Sequence, residues 1–323
     1  MDTQYLNIHD VLVDDSQFSV KDYLFESFHA PTCHITSFDT LGILYPIIVF
    51  GDNKKRYHLV DGRKRVQFAK EMKEPRIRAA ILPASTPVTD MITLIFCNKR
   101  NEIESSIINK VQFLCLAMAL NASDSWILQS LCVPFEFKPH SSFLQECERI
   151  NSLPKKLKLF CHEKKFSFKQ LLNLTLCPEQ LLLQIINWKS CLHLTASVMD
   201  EITSNLRDYL RRENKSLEDF VSEQNVQEIL DSSLSPRDKT EKLRQLIYLQ
   251  RFPILSEKNS LIQNTVGDLN LPKGIDISWD RTLENKNVHV SFNISDPSKW
   301  RNFLDTLGSE EVKKAIESIL DEL

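Results

Sequence analysis

The chain has 323 residues, 42% of them hydrophobic, and a formal net charge of −3, which allows two or three domains with ordinary cores. Only six residues are glycine, against a typical share of about 7%, and this scarcity favours an α+β protein that is predominantly helical. The acidic amino terminus is not typical of a signal peptide, and no apolar run approaches the roughly 18 residues that cross a bilayer. We therefore expect a cytoplasmic protein that does not bind membranes.

The first strong pattern predicts two short strands followed directly by a helix. Residues 47–50 are apolar and rich in β-branched side chains, residues 51–53 have turn composition, and residues 57–60 predict the returning strand. Beyond them, apolar side chains recur at helical spacing, which puts Asp61 or Gly62 at the N-cap.

Basic residues fill the first turn of that helix, namely Arg63, Lys64 and Arg65. Cations are unfavourable at this end of the helix dipole unless an anion lies between them. A glycine that permits close approach, free backbone N–H groups and guanidinium donors suit a di- or triphosphate. The segment therefore predicts a phosphate-binding site, and a solvated basic turn is the alternative interpretation.

The same residues resemble the amino-terminal domain of ParB-type chromosome and plasmid partition proteins, which has the ParB/sulfiredoxin-type fold. That domain typically reads G-L-L-Q-P-I, then a strand, then G-E-R-R-x-R-A-A. Here residues 42–47 read GILYPI, and the run DGRKR at 61–65 follows the strand. The positions that keep the second motif are Gly62, Lys64, Arg65 and Ala69.

The resemblance implies a nucleoside triphosphate, CTP with Mg²⁺, bound by Gly62, Arg63, Lys64 and Arg65. A later family segment, E-N-x-Q-R, corresponds to residues 96–101, where Asn98 and Arg100 would close the pocket. Arg63 stands where the family has an acidic residue, and the later segment has also lost its acid. These departures predict a binding or vestigial pocket with at most weak triphosphatase activity.

An enzymatic alternative comes from the small-molecule kinases of the same fold family, whose signature is D-G-x-x-R. Asp61 would then be the catalytic base or the metal-facing carboxylate beside the phosphates. Sulfiredoxin activity is not expected, since no cysteine lies between Asp61 and Arg65.

Further along, residues 76–82 predict a strand, and residues 88–97 and 104–121 predict helices. With the first strands they complete a ParB-like α/β domain over residues 1–121. Residues 122–215 predict a wholly helical domain.

In the helical domain, a helix from Ser123 or Asp124 to about 132 and a second from about 141 to 150 have the length of a helix-turn-helix. ParB-like proteins carry such a motif, and the resemblance implies that its second helix contacts DNA. The DNA-binding residues would be Lys138, His140, Ser141, Ser142 and Gln145.

Two departures leave a packed helical hairpin open as the alternative to a DNA reader. The turn over residues 133–139 is long and apolar, and the second helix carries Glu146 and Glu148, which repel phosphate. Phe135 and Phe137 in that turn are expected in the core or at an interface.

The last predicted module covers residues 216–323, where acidic residues outnumber basic ones. It predicts a helix that begins at Ser235-Pro236, an antiparallel hairpin formed by residues 274–279 and 288–294, and closing helices from residue 300. We expect this α+β module to serve a homodimer or a protein partner.

The eight cysteines lack the CxxC spacing of a metal site. Most lie in apolar helical stretches, so we expect buried free thiols and no bound metal. Three pairs leave a zinc site as the alternative: Cys33-His34, Cys161-His162 and Cys191-x-His193.

Together these features predict a ParB-like, DNA-associated protein of the partition or regulator type with a nucleotide pocket. The alternatives are a kinase or nucleotide-hydrolysing enzyme that uses the DGRKR run, and a scaffold with neither activity.

Overall fold

The computed structural model describes residues 3–13, 17–18, 24–25, 41–51, 56–269, 271–272, 274–293, 296 and 298–323. Helix makes up 59% of the chain, and a mixed sheet accompanies it, which agrees with the predicted α+β, mostly helical class. The chain divides into two compact units, Met1–Ser204 and Asn205–Leu323, where the sequence predicted three parts.

The sheet of the first unit has five strands in the order β1-β5-β3-β4-β2. Its strands are β1 (Thr3–Asn7), β2 (Val11–Leu12), β3 (Ile47–Gly51), β4 (Tyr57–Asp61) and β5 (Arg76–Leu82). β3 and β4 pair antiparallel, which confirms the predicted strand pair. The rest of the predicted turn, residues 52–53, lies outside the described residues.

Alternation along the strands explains where the core of the sheet lies. Ile47 and Val49 on β3 and Ala79 on β5 are fully buried, because every second side chain of a strand points to the same face. They form one cluster with Val66 and Ala69, which lie on helix α1 (Arg63–Glu71). The helix that carries the basic residues is therefore held on the sheet by its apolar stripe.

The next helices are α2 (Val88–Ile103) and α3 (Ile107–Ala119). α2 is longer than predicted, and α3 begins later than predicted, after Ser106. The Ser106 hydroxyl accepts from the backbone N–H of Asn109 and so caps α3.

The remaining helices of the first unit follow with short connections. They are α4 (Asp124–Trp126, continued by a π-helical turn, Ile127–Leu131), α5 (Phe143–Asn151), α6 (Lys155–Glu163), α7 (Phe168–Leu174), α8 (Glu179–Asn187, continued by the 3₁₀ turn Trp188–Ser190) and the start of α9 (Ala196–Glu213). α2, α5, α6 and α7 all contact α3. The packing is therefore continuous across the predicted domain boundary near residue 121.

The second unit continues from the end of α9. Its elements are α10 (Leu217–Val221), α11 (Gln224–Asp231), α12 (Pro236–Arg251), α13 (Pro253–Asp268), β6 (Ile275–Trp279), β7 (Val288–Phe292), α14 (Ser298–Leu307) and α15 (Glu310–Glu322). β6 and β7 pair antiparallel, which confirms the predicted hairpin. Trp279 packs with Ile262 and Ile319 in a small core, and its indole N–H donates to Asn259 Oδ1 at 2.8 Å.

None of the seven described cysteines forms a disulfide, and Cys33-His34 lies outside the described residues. Cys115, Cys132, Cys147 and Cys161 are buried, as expected, whereas Cys97 is exposed. Burial raises the pKa of Cys115 to about 12 and that of Cys132 to about 11, so both stay protonated thiols near neutral pH.

The described part of the chain contains neither a candidate metal site nor a candidate membrane-spanning helix. No group of three or more His, Cys, Asp or Glu side chains in it is arranged to hold a metal ion. No helix within the same residues is long and apolar enough to cross a membrane.

Candidate phosphate and nucleic-acid sites

The turn between β4 and α1 has the geometry that requires glycine. Gly62 is the N-cap of α1, with φ 109° and ψ 25° in the left-handed region, where residues with a side chain are strained. A Cβ at this position would lie 2.8 Å from Ile47 Cγ2 and 2.9 Å from Arg65 Nε. The predicted N-cap is thus confirmed at Gly62, where both the backbone conformation and the surrounding space exclude a side chain.

The amino-terminal end of α1 is electropositive. Gly62 has no side chain to cap the helix, and the first turn holds no acidic residue. The first N–H groups of a helix have no partner within the helix, and the dipole favours an anion beside them. Lys64 in this turn is exposed, and an Nη1 atom of Arg63 lies 3.5 Å from the backbone oxygen of Val13. The turn can therefore present backbone N–H groups and a lysine charge to a phosphate.

Arg65 lies in the first turn of α1 as predicted, but its side chain contacts groups of the protein that the sequence did not indicate. Its Nη2 lies 2.7 Å from Asp61 Oδ2, and its Nη1 donates to the Pro46 carbonyl at 2.9 Å. The two paired side chains are only 19% and 20% exposed. Arg65 therefore joins the entry of β3 and the end of β4 to α1, and both of its terminal nitrogens already have acceptors in the protein.

The same ion pair engages Asp61, the residue that the kinase alternative uses as a base. Its carboxylate accepts a charge-assisted hydrogen bond from Arg65, so a role as base requires that it leave the guanidinium. The acid and the arginine are four residues apart, and this i,i+4 spacing is the sequence signal that indicates the pair.

Asn98 and Arg100, the residues expected to close the pocket, lie on α2 and are exposed. Arg100 Nε donates to Glu104 Oε1 at 3.0 Å on the same helix, and 61% of the arginine side chain is exposed. Exposed pairs of this kind contribute about 0 to 1 kcal/mol. In the described part of the chain the guanidinium of Arg100 pairs with Glu104 and not with the 62–65 turn.

The predicted DNA-binding residues lie mostly before the second helix of the pair. α5 begins at Phe143 with Ser142 as its N-cap, so Lys138, His140 and Ser141 belong to the preceding turn and only Gln145 lies within the helix. Lys138, Ser141 and Gln145 are exposed and can reach an external ligand. The helix was predicted to start near Ser141, and it begins two residues later, at Phe143.

Glu146 contacts the other two predicted DNA-binding residues, His140 and Ser142. Its Oε1 accepts from the Ser142 hydroxyl at 3.0 Å and lies 3.0 Å from His140 Nε2. Partial burial opposes ionisation of this carboxyl, but the hydrogen bonds from His140 and Ser142, with the charges of His140 and Arg149, outweigh it and hold its pKa below the ordinary value. A stable carboxylate thus lies in the first half of α5, where it repels a phosphate.

The turn before α5 is part of an aromatic cluster, which confirms the expectation for Phe135 and Phe137. Phe135 is 1% exposed, and its ring lies within 6.3 Å of the rings of Phe96, Phe113 and Phe137. Phe137 continues the cluster to Phe143 at 5.2 Å. Phe135 and Phe137 therefore anchor the long turn in the core, as the helical-hairpin alternative requires.

Comparisons with known proteins give distant structural neighbours. No protein-family model and no curated protein matches the chain. Among solved structures, it is similar to the C-terminally truncated chromosome-partitioning protein ParB from Caulobacter crescentus complexed with CTP-gamma-S, with 13% identity and a TM-score of 0.22 over 58% of this chain and 99% of that chain. The same ParB complexed to the centromeric parS site gives 13% identity and a TM-score of 0.24 over 62% and 98%.

Proposed function

We propose that the chain is a ParB-like, DNA-associated protein that binds a nucleoside triphosphate at the turn between β4 and α1. The observation that carries the nucleotide half is the left-handed Gly62 N-cap, which is followed by three basic residues and no acid. A helix end of this kind binds phosphate through its backbone N–H groups. The motif resemblance over residues 42–47 and 61–69 indicates CTP as the nucleotide.

The residues of the turn take different roles in this proposal. The first N–H groups of α1 and the Lys64 ammonium bind the phosphates, while Arg65 is a positioning residue that fixes the turn through Asp61 and the Pro46 carbonyl. The turn supplies no uncommitted carboxylate for Mg²⁺, which prefers oxygen ligands. The residues present therefore do not form a metal site of their own, and the proposal is binding without hydrolysis.

The nucleotide site is tested by thermal shift with CTP and ATP, each with and without Mg²⁺. A ligand at 100 times its Kd stabilises the folded state by about 2.7 kcal/mol, so we expect a clear rise in Tm with CTP. Lys64→Ala is expected to weaken binding about tenfold, since it removes one charge from the phosphates. Lys70→Ala is the matched control, because Lys70 is an exposed lysine in the last turn of the same helix.

Other outcomes of that experiment favour the alternatives. Equal binding by Lys64→Ala and Lys70→Ala contradicts the proposed site, and the absence of a shift with every nucleotide favours the scaffold. Nucleotide turnover that Asp61→Ala abolishes favours the kinase, in which Asp61 leaves its ion pair with Arg65.

The DNA half of the proposal places Lys138, Ser141 and Gln145 against the duplex. Affinity measured by fluorescence anisotropy should fall steeply as salt rises, because binding releases counterions from the phosphates. Glu146→Gln should strengthen DNA binding several-fold. It removes a buried negative charge, and it weakens the hydrogen bonds that residue 146 makes with His140 and Ser142.

Glu148→Gln is the matched control for that variant. It removes the same charge from an exposed position of α5 and leaves the Glu146 contacts intact, so we expect a smaller gain. Lack of binding at low salt, or binding without a salt slope, would refute the DNA half.

The assembly proposed for the end of the chain, a homodimer or a complex with a protein partner, is supported by exposed apolar side chains in the second unit. Phe292, Trp300, Leu304 and Leu320 are all exposed, and the rings of Phe292 and Trp300 lie 5.5 Å apart. Exposed aromatic side chains that contact each other, as Phe292 and Trp300 do, are typical of a surface that another protein covers.

A further inference from the structure

Asn109 is a fully buried polar residue, 0% exposed, near the start of the largely apolar helix α3. Its side chain bonds to the backbone of Phe25, which is 84 positions earlier in the chain. Asn109 Oδ1 accepts the Phe25 N–H at 3.0 Å, and Asn109 Nδ2 donates to the Phe25 carbonyl at 2.8 Å. The carboxamide thus meets both polar groups of one residue, as one strand residue meets its partner in a hydrogen-bonded antiparallel pair.

The carboxamide is fixed by contacts that do not involve residue 25. Asn109 Nδ2 lies 2.8 Å from the Glu102 carbonyl and 3.1 Å from Ser105 Oγ, and the backbone N–H of Asn109 donates to Ser106 Oγ. The connection between α2 and α3 therefore orients the side chain in advance. A site oriented in this way spends little of its binding free energy on ordering its own groups.

The side chain of residue 25 contacts a second fixed group. The ring of Phe25 lies 5.7 Å from the ring of His162. His162 is buried, and its Nδ1 is 2.7 Å from Ser106 Oγ. Backbone hydrogen bonds accept any residue except proline, so the ring contact is the feature of this site that selects a side chain.

We propose that Asn109 and His162 form a peptide-binding site that Leu24 and Phe25 of the same chain occupy. The site binds an extended peptide through the N–H and C=O of one residue and prefers an aromatic side chain there. A free peptide with these features competes with Phe25 for the site. The peptide-binding site shares no residue with the proposed nucleotide and DNA sites.

The chain's own segment is a strong competitor because it is covalently attached. Attachment gives it an effective concentration of about millimolar or above, with no new contact. A free peptide should therefore bind the wild-type protein weakly. Phe25→Pro vacates the site, since it removes both the N–H donor and the aromatic ring.

The experiment titrates the full chain into a fluorescein-labelled peptide with the sequence of residues 22–28, DYLFESF, and follows anisotropy. We expect Phe25→Pro to bind the peptide at least about tenfold more tightly than wild type. Adding Asn109→Asp should then lower the affinity at least about tenfold, because a carboxylate cannot donate to the peptide carbonyl and repels it.

A second arm keeps Asn109 and changes the peptide, in case circular dichroism shows that the protein with both Phe25→Pro and Asn109→Asp does not fold. The same peptide with an N-methyl group on the amide of the phenylalanine that corresponds to Phe25 keeps the ring and loses the N–H donor. We expect this peptide to bind Phe25→Pro at least about tenfold more weakly than the parent peptide. Equal binding of the two peptides, or no gain for Phe25→Pro over wild type, overturns the proposal.

Discussion

Gly62→Ala is expected to lower the free energy of unfolding of the first unit by about 2 to 5 kcal/mol. About 1 to 2 kcal/mol comes from a side chain held at positive φ, and about 1 to 3 kcal/mol from forcing a methyl group into a packed core. The added Cβ would lie 2.8 Å from the buried Ile47 and 2.9 Å from Arg65. Urea unfolding followed by circular dichroism measures the loss.

Gly42→Ala is the matched control for this substitution. Gly42 also has positive φ, 66°, but a Cβ there meets no atom within 4 Å, so only the strain of about 1 to 2 kcal/mol remains. Equal losses for the two variants would contradict the crowding at Gly62. The Gly62 variant should also bind nucleotide more weakly, since Arg65 must move away from the added methyl group.

Phe135→Ala is expected to destabilise the first unit by about 3 to 5 kcal/mol, the range for removing a buried phenylalanine. The variant leaves a cavity beside Phe96 and Phe113. It also removes the ring from Lys110 Nζ, which lies 5.9 Å from the ring centroid. The change should appear as a lower urea midpoint with an unchanged slope, because the native fold stays compact.

Val133→Ala is the control for the Phe135 variant, since Val133 lies in the same turn and is 72% exposed. A surface truncation of this kind should change stability by less than about 0.5 kcal/mol. If Phe135→Ala lowers the stability no more than Val133→Ala does, the turn is a surface loop that α4 and α5 can present to a ligand.

The sequence predicted β3, β4 and the Gly62 N-cap because these features are local. Residues 47–50 and 57–60 have the composition of strands on either side of a turn, and the basic run begins where helical spacing starts. The side-chain contacts of Arg65 were not predicted. Its partners include the carbonyl of Pro46, 19 residues away, and no periodicity reveals a contact to a backbone oxygen.

In the α4–α5 pair, too, the sequence predicted local features and not the contacts between side chains. The apolar character of Phe135 and Phe137 predicted burial correctly, because hydrophobic residues in a long turn need a core. The sequence predicted that α5 begins near Ser141, whereas the helix begins at Phe143. Glu146 was identified as a charge that repels phosphate, but its bonds with His140 and Ser142 depend on side-chain directions that the sequence does not give.

The central position of α3 bears on how the protein is made. Ribosomes deliver the sheet and α3 before α5, α6 and α7 exist, although these later helices contact α3 on the finished protein. Until about 50 further residues have emerged, apolar side chains such as Phe113, Leu114 and Leu116 lack part of their cover. A nascent chain with such surface is prone to aggregation, so chaperones have their main opportunity to bind between the synthesis of α3 and that of α7.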